Sequence, residues 1–419
     1  MHDDGRRGLH ERRPRLRAAR RHRGLHRRGS PAHPRLGGAT LRAGARYRRR
    51  PARLDGHPVS TPDYSFLLTG PEGTLHGAGH RTTWHSVDQA LAGLAGGSPL
   101  AVGALPFHAA EPPALWCPRR FWFAHGAPAL PHDAIPGVVE TAESPEAEQH
   151  AQRVRRARER IRDGEYQKIV LARGVRYRLA GRADPRVLLA RFLAGSGTGH
   201  GHLVDLGSAG PAHAGAWLVG SSPELLLLKR GRYIESHPLA GTVARSADPV
   251  QDEALATELL LSAKNIEEHS YVTREIRRIL EPWCAQLEVP ERPSLTATSH
   301  TWHLGTRIRG MVRNESVSAL ELAAALHPTP AVCGYPTAAT QTALRETEPA
   351  RGFYAGAVGW ADDRGNGEWR VSIRGAIAQG TTVVAHAGGG IVADSDPRAE
   401  VRETEVKLGP VRAALGIAE

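Results

Sequence analysis

Short apolar runs punctuated by Gly and Pro come in groups along this chain, and amphipathic helical stretches come in groups between them. YSFLL, PLAVGALPF and RRFWFAHG lie close together between Asp63 and Phe123 and read as strands of an antiparallel sheet. Gly126 to Glu143 reads as a connection. Ser144-Pro145-Glu146 then supplies an N-cap, a proline for the first helical position and an early acid. That helix is expected to end at Asp163-Gly164, with Val154 and Ile161 on one face. A β-rich stretch follows, from YQKIVLARGVRYRL (166–179) to AWLVGSSPELLLLKRGRYIESHPLAGT (216–242). One long helix is expected from about Asp252 to Leu280, then the strand-like TWHLGTRIRGMV (301–312). The C-terminal third adds a further helix, more strands and a last helix opening at Asp396-Pro397. Clustering of this kind, without strict strand–helix alternation and without a G-x-G-x-x-G turn, favours α+β over a doubly wound sheet.

Charge divides the chain sharply. Residues 1–58 hold 18 Arg and no Lys against four acids, a surplus larger than the whole chain's +12. The rest is therefore slightly acidic, and the basic character says little about what the folded part binds. Lacking apolar periodicity, 1–58 is expected to be an Arg-rich tail, either disordered or a mis-assigned start. Arg clusters neutralise phosphates, but a nucleic-acid-binding role rests on this segment alone and is not the expected one. The catalytic domain is expected over 59–419. No run approaches the roughly 18 apolar residues of a membrane span. Three widely spaced cysteines (Cys117, Cys284, Cys333) fit a reducing, cytoplasmic setting with no disulfide framework.

Two polar helix faces carry chemistry-bearing residues. Glu400, Glu403 and Lys407 share a face by their i, i+3, i+7 spacing, and Asn265 and Glu268 share another. Carboxylates brought together from two helices suit Mg²⁺, a hard ion that keeps waters and substrate oxygens in its shell. The spacing alone fits a solvated salt-bridge stripe equally well. Lys168 interrupts an apolar run, on the strand face shared with Val170, and Glu224 precedes Leu225–Leu228. A buried lysine loses charge readily and a buried glutamate holds its proton, the properties of a general base and a general acid.

The segments LHPTPAVCGYPTAATQ (326–341), RGFYAGAVGWADDRGNGEWRVSIRGA (351–376) and AGGGIVADSDPRAEVRETEVKL (387–408) resemble the chorismate-utilising enzymes, and within them the isochorismate synthases. The resemblance runs from about Thr61 onward. It implies a single large α+β domain in which two antiparallel β-sheets pack together inside a surround of helices. It implies that chorismate is isomerised to isochorismate with Mg²⁺: Lys168 activates a water that attacks ring carbon 2, and Glu224 protonates the departing 4-hydroxyl. Glu268 and Glu403 are implied as metal ligands, with Glu400 acting through water; the family's frequent acid at position 265 is Asn265 here. Gly241, Thr242, His303, Ala331, Tyr354, Arg374, Gly388 and Lys407 are implied to bind substrate. Anthranilate synthases lack the lysine at position 168. Aminodeoxychorismate synthases carry a nucleophilic lysine where this chain has Ala240. Salicylate synthases share both Lys168 and Glu224 and remain the rival. The product is expected to feed siderophore- or menaquinone-type biosynthesis through isochorismate-consuming enzymes.

Overall fold

The computed structural model describes residues 64–417. The proposed 1–58 tail and its boundary at residue 59 lie outside the described residues. Among the described residues twenty strands form, all in antiparallel pairs. Seventeen join one continuous hydrogen-bonded ribbon, and Leu239–Ala244, Thr301–Gly305 and Ser294–Ala297 make a separate small sheet. The α+β reading holds. The ribbon turns back so that parts of it face one another across a core of Phe66, Val102, Trp116, Val204, Leu218 and Val358.

The strand Lys168–Leu179 positions the site. It pairs along ten residues with Thr382–Ile391, placing Ile169 opposite Ile391, Val170 opposite Gly390 and Ala172 opposite Gly388. Its other edge takes Val138–Ser144 and the short strand Gly334–Tyr335. Helices Ala147–Arg162 and Pro397–Leu415 pack on these strands and on each other. Ile169, Val170, Leu171 and Ala172 are all buried, as expected of a strand covered on both faces.

Several local expectations need correction. The end of the 126–143 connection is itself strand, because Val138–Ser144 pairs with the outer part of Lys168–Leu179. Ser144 ends that strand, so the N-cap is Glu146, in a reciprocal capping box with Gln149. The far end of this helix is as expected, with Asp163 as its C-cap and Val154 buried. The single helix expected over 252–280 is two, Pro249–Leu261 and Ala263–Leu280. Ser262 leaves helical geometry (φ −68°, ψ 110°), and its Oγ caps the second helix at the Asn265 amide. A serine in mid-helix competes with the helix through such bonds, and here it restarts the helix that carries Glu268. The stretch read only as strands also holds a helix, Val87–Ala95, capped by Ser86 accepting from the Gln89 amide. The last helix opens as expected, with Asp396 capping the Ala399 amide and Pro397 at the first position.

Candidate active site

Between the Lys168–Leu179/Thr382–Ile391 strand pair, the small sheet and the two acid-bearing helices lies a cleft. Of the twelve site residues expected from sequence, eleven line it: Glu224, Gly241, Thr242, Glu268, His303, Ala331, Tyr354, Arg374, Gly388, Glu403 and Lys407. The twelfth, Lys168, is wholly buried with its ammonium 3.1 Å from Glu268 Oε1. That is ion-pair distance without hydrogen-bond alignment. Val170, on the same strand face, lines the cleft as alternation requires.

One end of the cleft is a cluster of charges. Glu268 arrives from helix Ala263–Leu280, and Glu400 and Glu403 from helix Pro397–Leu415. Each faces a lysine: Glu268 faces Lys168, Glu400 Oε1 accepts from Lys264 Nζ at 2.8 Å, and Glu403 accepts from Lys407. Lys407 also donates to the Gly388 carbonyl at 2.8 Å. Burial, then the neighbouring Glu403 charge, pushes the Glu400 carboxyl up to about 7. Its Oε2 is buried without a hydrogen-bond partner. Glycine in the backbone beneath leaves these side chains room. A Cβ on Gly389 would stand 2.7 Å from Glu400 Oε2, and one on Gly390 would strike Glu268 Oε1 and stand 2.8 Å from Lys168 Cε.

This donor set suits Mg²⁺, which takes few protein carboxylates and completes its shell with water and substrate oxygens. Glu268 and Glu403 would hold the ion, and the orphaned Glu400 oxygen would serve its outer shell. Among the described residues, no three His, Cys, Asp or Glu side chains are gathered tightly enough to hold a metal by themselves.

The other end is uncharged by burial. Glu224, 2% exposed, follows strand Ala216–Gly220, and its carboxyl is pushed up to about 7 by desolvation. A backbone hydrogen bond from Leu239 and the charges of Lys168, Lys407 and Arg374 oppose that shift without cancelling it. His303 is held well below the usual imidazole range by burial, then by Arg374 and Lys407. Arg374 directs Nη2 at His303 Nε2 (3.4 Å), and arginine can only donate. His303 Nε2 also lies 2.8 Å from Thr301 Oγ1, and Nδ1 lies 3.0 Å from Thr242 Oγ1. Tyr354 stacks on His386 (centroids 5.1 Å apart), and burial raises its phenol to about 12.

Ala355 and Arg374 are the only non-glycine residues with positive φ among the described residues (58° and 55°). Both adjoin the cleft, on turns tied together by the Ala355 amide donating to the Ser372 carbonyl at 2.8 Å. Backbone held in this region costs about 1–3 kcal/mol per residue and persists where surrounding structure demands it. Here it aims the Arg374 guanidinium beside His303. Sequence reasoning missed Lys264 and His386. Lys264 stood four residues before Glu268 on the same face, the one signal that pointed to it. His386 had none, because only strand pairing brings it to Tyr354.

Residues 123–416 match the family model described as chorismate binding enzyme. This chain belongs to the chorismate-binding enzymes. The MenF protein of Mycobacterium tuberculosis is 46% identical over 361 residues, covering 85% of this chain and 97% of that one. Isochorismate synthase DhbC of Bacillus subtilis is 40% identical over 324 residues, 76% of this chain and 81% of that one. The crystal structure of DhbC from Bacillus anthracis superposes on this chorismate-binding enzyme with a TM-score of 0.80 at 35% identity, covering 86% and 98% of the two chains. Ala240, which replaces the nucleophilic lysine of the aminodeoxychorismate synthases, lines the cleft of this family member.

Proposed function

We propose that this enzyme is an isochorismate synthase: it converts chorismate to isochorismate by adding water at ring carbon 2 with loss of the 4-hydroxyl. The observation that carries the reading is a buried, proton-holding Glu224 lining a cleft of a chorismate-binding enzyme, with buried Lys168 beside the lining residue Glu268. Lys168, in its neutral amine form, takes a proton from the attacking water as its oxygen bonds to carbon 2. The ring double bonds shift along, and the bond from carbon 4 to its hydroxyl breaks. Glu224 gives its proton to the 4-hydroxyl, which leaves as water, so atoms and charge balance. With its carboxyl pushed up to about 7, a large fraction of Glu224 still holds that proton near neutral pH, as a general acid must.

Binding is assigned by charge. Arg374 offers a planar fork to one substrate carboxylate. Lys407, Gly241, Thr242, Ala331 and Gly388 line the remaining walls, with His303 and Tyr354 as neutral hydrogen-bonding groups. Mg²⁺ held by Glu268 and Glu403 supplies positive charge opposite the other substrate carboxylate. The product supplies siderophore- or menaquinone-type biosynthesis, through enzymes that consume isochorismate. The three buried, unpaired cysteines support a cytoplasmic setting, and no helix among the described residues is long and apolar enough to cross a membrane.

The test is an incubation of purified protein with chorismate and Mg²⁺, without ammonia, followed by chromatography. Isochorismate as sole product, lost on chelation and restored by Mg²⁺, is the expected outcome. Salicylate with pyruvate would make the chain a salicylate synthase instead. Unchanged turnover after exhaustive chelation would remove the metal from the reading.

A further inference from the structure

Arg351 is 3% exposed, does not line the cleft, and joins three of the segments that build it. Its Nη2 donates to the Val170 carbonyl at 2.6 Å, two residues from Lys168 on the same strand. Its Nη1 donates to the Val332 carbonyl at 2.8 Å, next to Ala331. Its own carbonyl accepts from the Tyr354 amide at 3.1 Å, closing the turn that holds Tyr354 and the positive-φ Ala355. The guanidinium lies 4.4 Å over the Phe107 ring.

Glu348, whose side chain is equally buried, completes the unit. Its Oε2 accepts from Arg351 Nε at 2.8 Å, and its Oε1 accepts from the Ala172 amide at 2.8 Å and from Arg153 Nη2 at 2.6 Å. Arg153 also donates to the Ala172 carbonyl at 3.1 Å. The two ionic side chains thus bind Val170 and Ala172 on one strand and Val332 on the facing loop.

A buried ion pair is a poor way to stabilise a fold, since well-packed apolar groups do as well or better. What a forked cation adds is direction: donors in one rigid plane fix several acceptors relative to one another. We propose that Arg351, oriented by Glu348, is a positioning residue that sets the Lys168 strand, the Ala331 loop and the Tyr354 turn in catalytic register. This inference rests on the reading of the cleft as the site of chorismate hydration. A misplacement of about 1 Å between reacting groups is enough to cost on the order of a hundredfold in rate. A lysine at 351 keeps the charge but cannot reach both carbonyls and Glu348 from one plane.

The experiment compares wild type, Arg351→Lys and Glu348→Gln, each first measured for thermal unfolding and then for chorismate turnover at least 20 °C below its own Tm. Arg351→Lys is expected to lower kcat at least tenfold while KM for chorismate changes less than threefold. Glu348→Gln is expected to show a smaller loss of the same kind. Should Arg351→Lys not fold, Glu348→Gln, which keeps the shape of the acceptor, carries the test alone. Wild-type kcat in folded variants would overturn the proposal. So would a loss that tracks the fall in Tm and vanishes on cooling, because that is the mark of packing alone. Wild type that fails to turn over chorismate would instead overturn the proposed function, so the two failures are told apart.

Discussion

The two ends of the cleft hold titratable groups in opposite ways. At the helix end, Glu268, Glu400 and Glu403 keep company with Lys168, Lys264 and Lys407, and charge is balanced by charge. At the sheet end, desolvation raises the Glu224 carboxyl and lowers the His303 imidazole, and among the described residues no carboxylate–lysine hydrogen bond offsets it. Helices Ala263–Leu280 and Pro397–Leu415 bring long side chains from two directions and can pair them. At the sheet end Glu224 is buried without a salt-bridge partner within reach among the described residues, and desolvation sets its proton affinity. A reaction that removes a proton at one place and supplies it at another draws on both designs, which push ionisable groups apart in their proton affinity.

The largest break in this contrast is Lys168→Ala. It removes the base and leaves Glu268 buried without its cation, and a loss of roughly 10²–10⁴ in kcat is expected from general-base catalysis alone. Near-wild-type turnover of chorismate would show that the water is activated elsewhere.

Next comes Glu224→Gln, which keeps the shape of the neutral end but has no proton to give. A loss of about 10²–10³ in kcat is expected. The wild-type rate should fall as pH rises through about 7, where Glu224 loses its proton, and this limb should be missing from the residual activity of Glu224→Gln. Stability follows the same sign. The folded carboxyl keeps its proton to about 7, whereas an unfolded one ionises near its ordinary value of 4.5. Folding therefore binds the proton more tightly, and wild type loses stability over that interval as pH rises. Denaturant titrations at pH 5 and pH 8 should show Glu224→Gln gaining on wild type at the higher pH.

Gly390→Ala attacks the charged end through its backbone. The new Cβ would strike Glu268 Oε1, and displacing that carboxylate is expected to cost roughly tenfold or more in kcat. Half-saturation by Mg²⁺ should shift upward with it, and an unchanged metal titration would separate Gly390 from the ion. The smallest effect is expected from Glu400→Gln, about tenfold in kcat, the low end for a group that reaches a metal ion through water. A loss as large as that of Lys168→Ala would make it a direct ligand.

Much of this site could be read from the chain because its residues sit on elements with strong local signals. Asp396-Pro397 announced the last helix, and helical spacing alone put Glu400, Glu403 and Lys407 on one face. Alternation put Lys168 beside Val170 and pointed both inward. Roles were another matter: spacing fits a salt-bridge stripe as well as a metal site, and the resemblance to known enzymes decided between them. What stayed hidden depends on contacts distant in sequence. Arg351 donates to a carbonyl 181 residues away, and a serine's choice between helix interior and cap at Ser262 turns on tertiary packing. Left-handed backbone at Arg374 has no sequence signature, since arginine is an ordinary residue for extended structure.

The pairing of Lys168–Leu179 with Thr382–Ile391 bears on how the enzyme is made. During synthesis the strand bearing the base leaves the ribosome more than two hundred residues before its main partner. Until then a long apolar edge has nothing to pair with, and such edges recruit other chains. Pairings this remote in sequence also form slowly once both halves exist. Production should therefore depend on chaperone capacity and growth temperature more steeply than the stability of the finished enzyme would suggest.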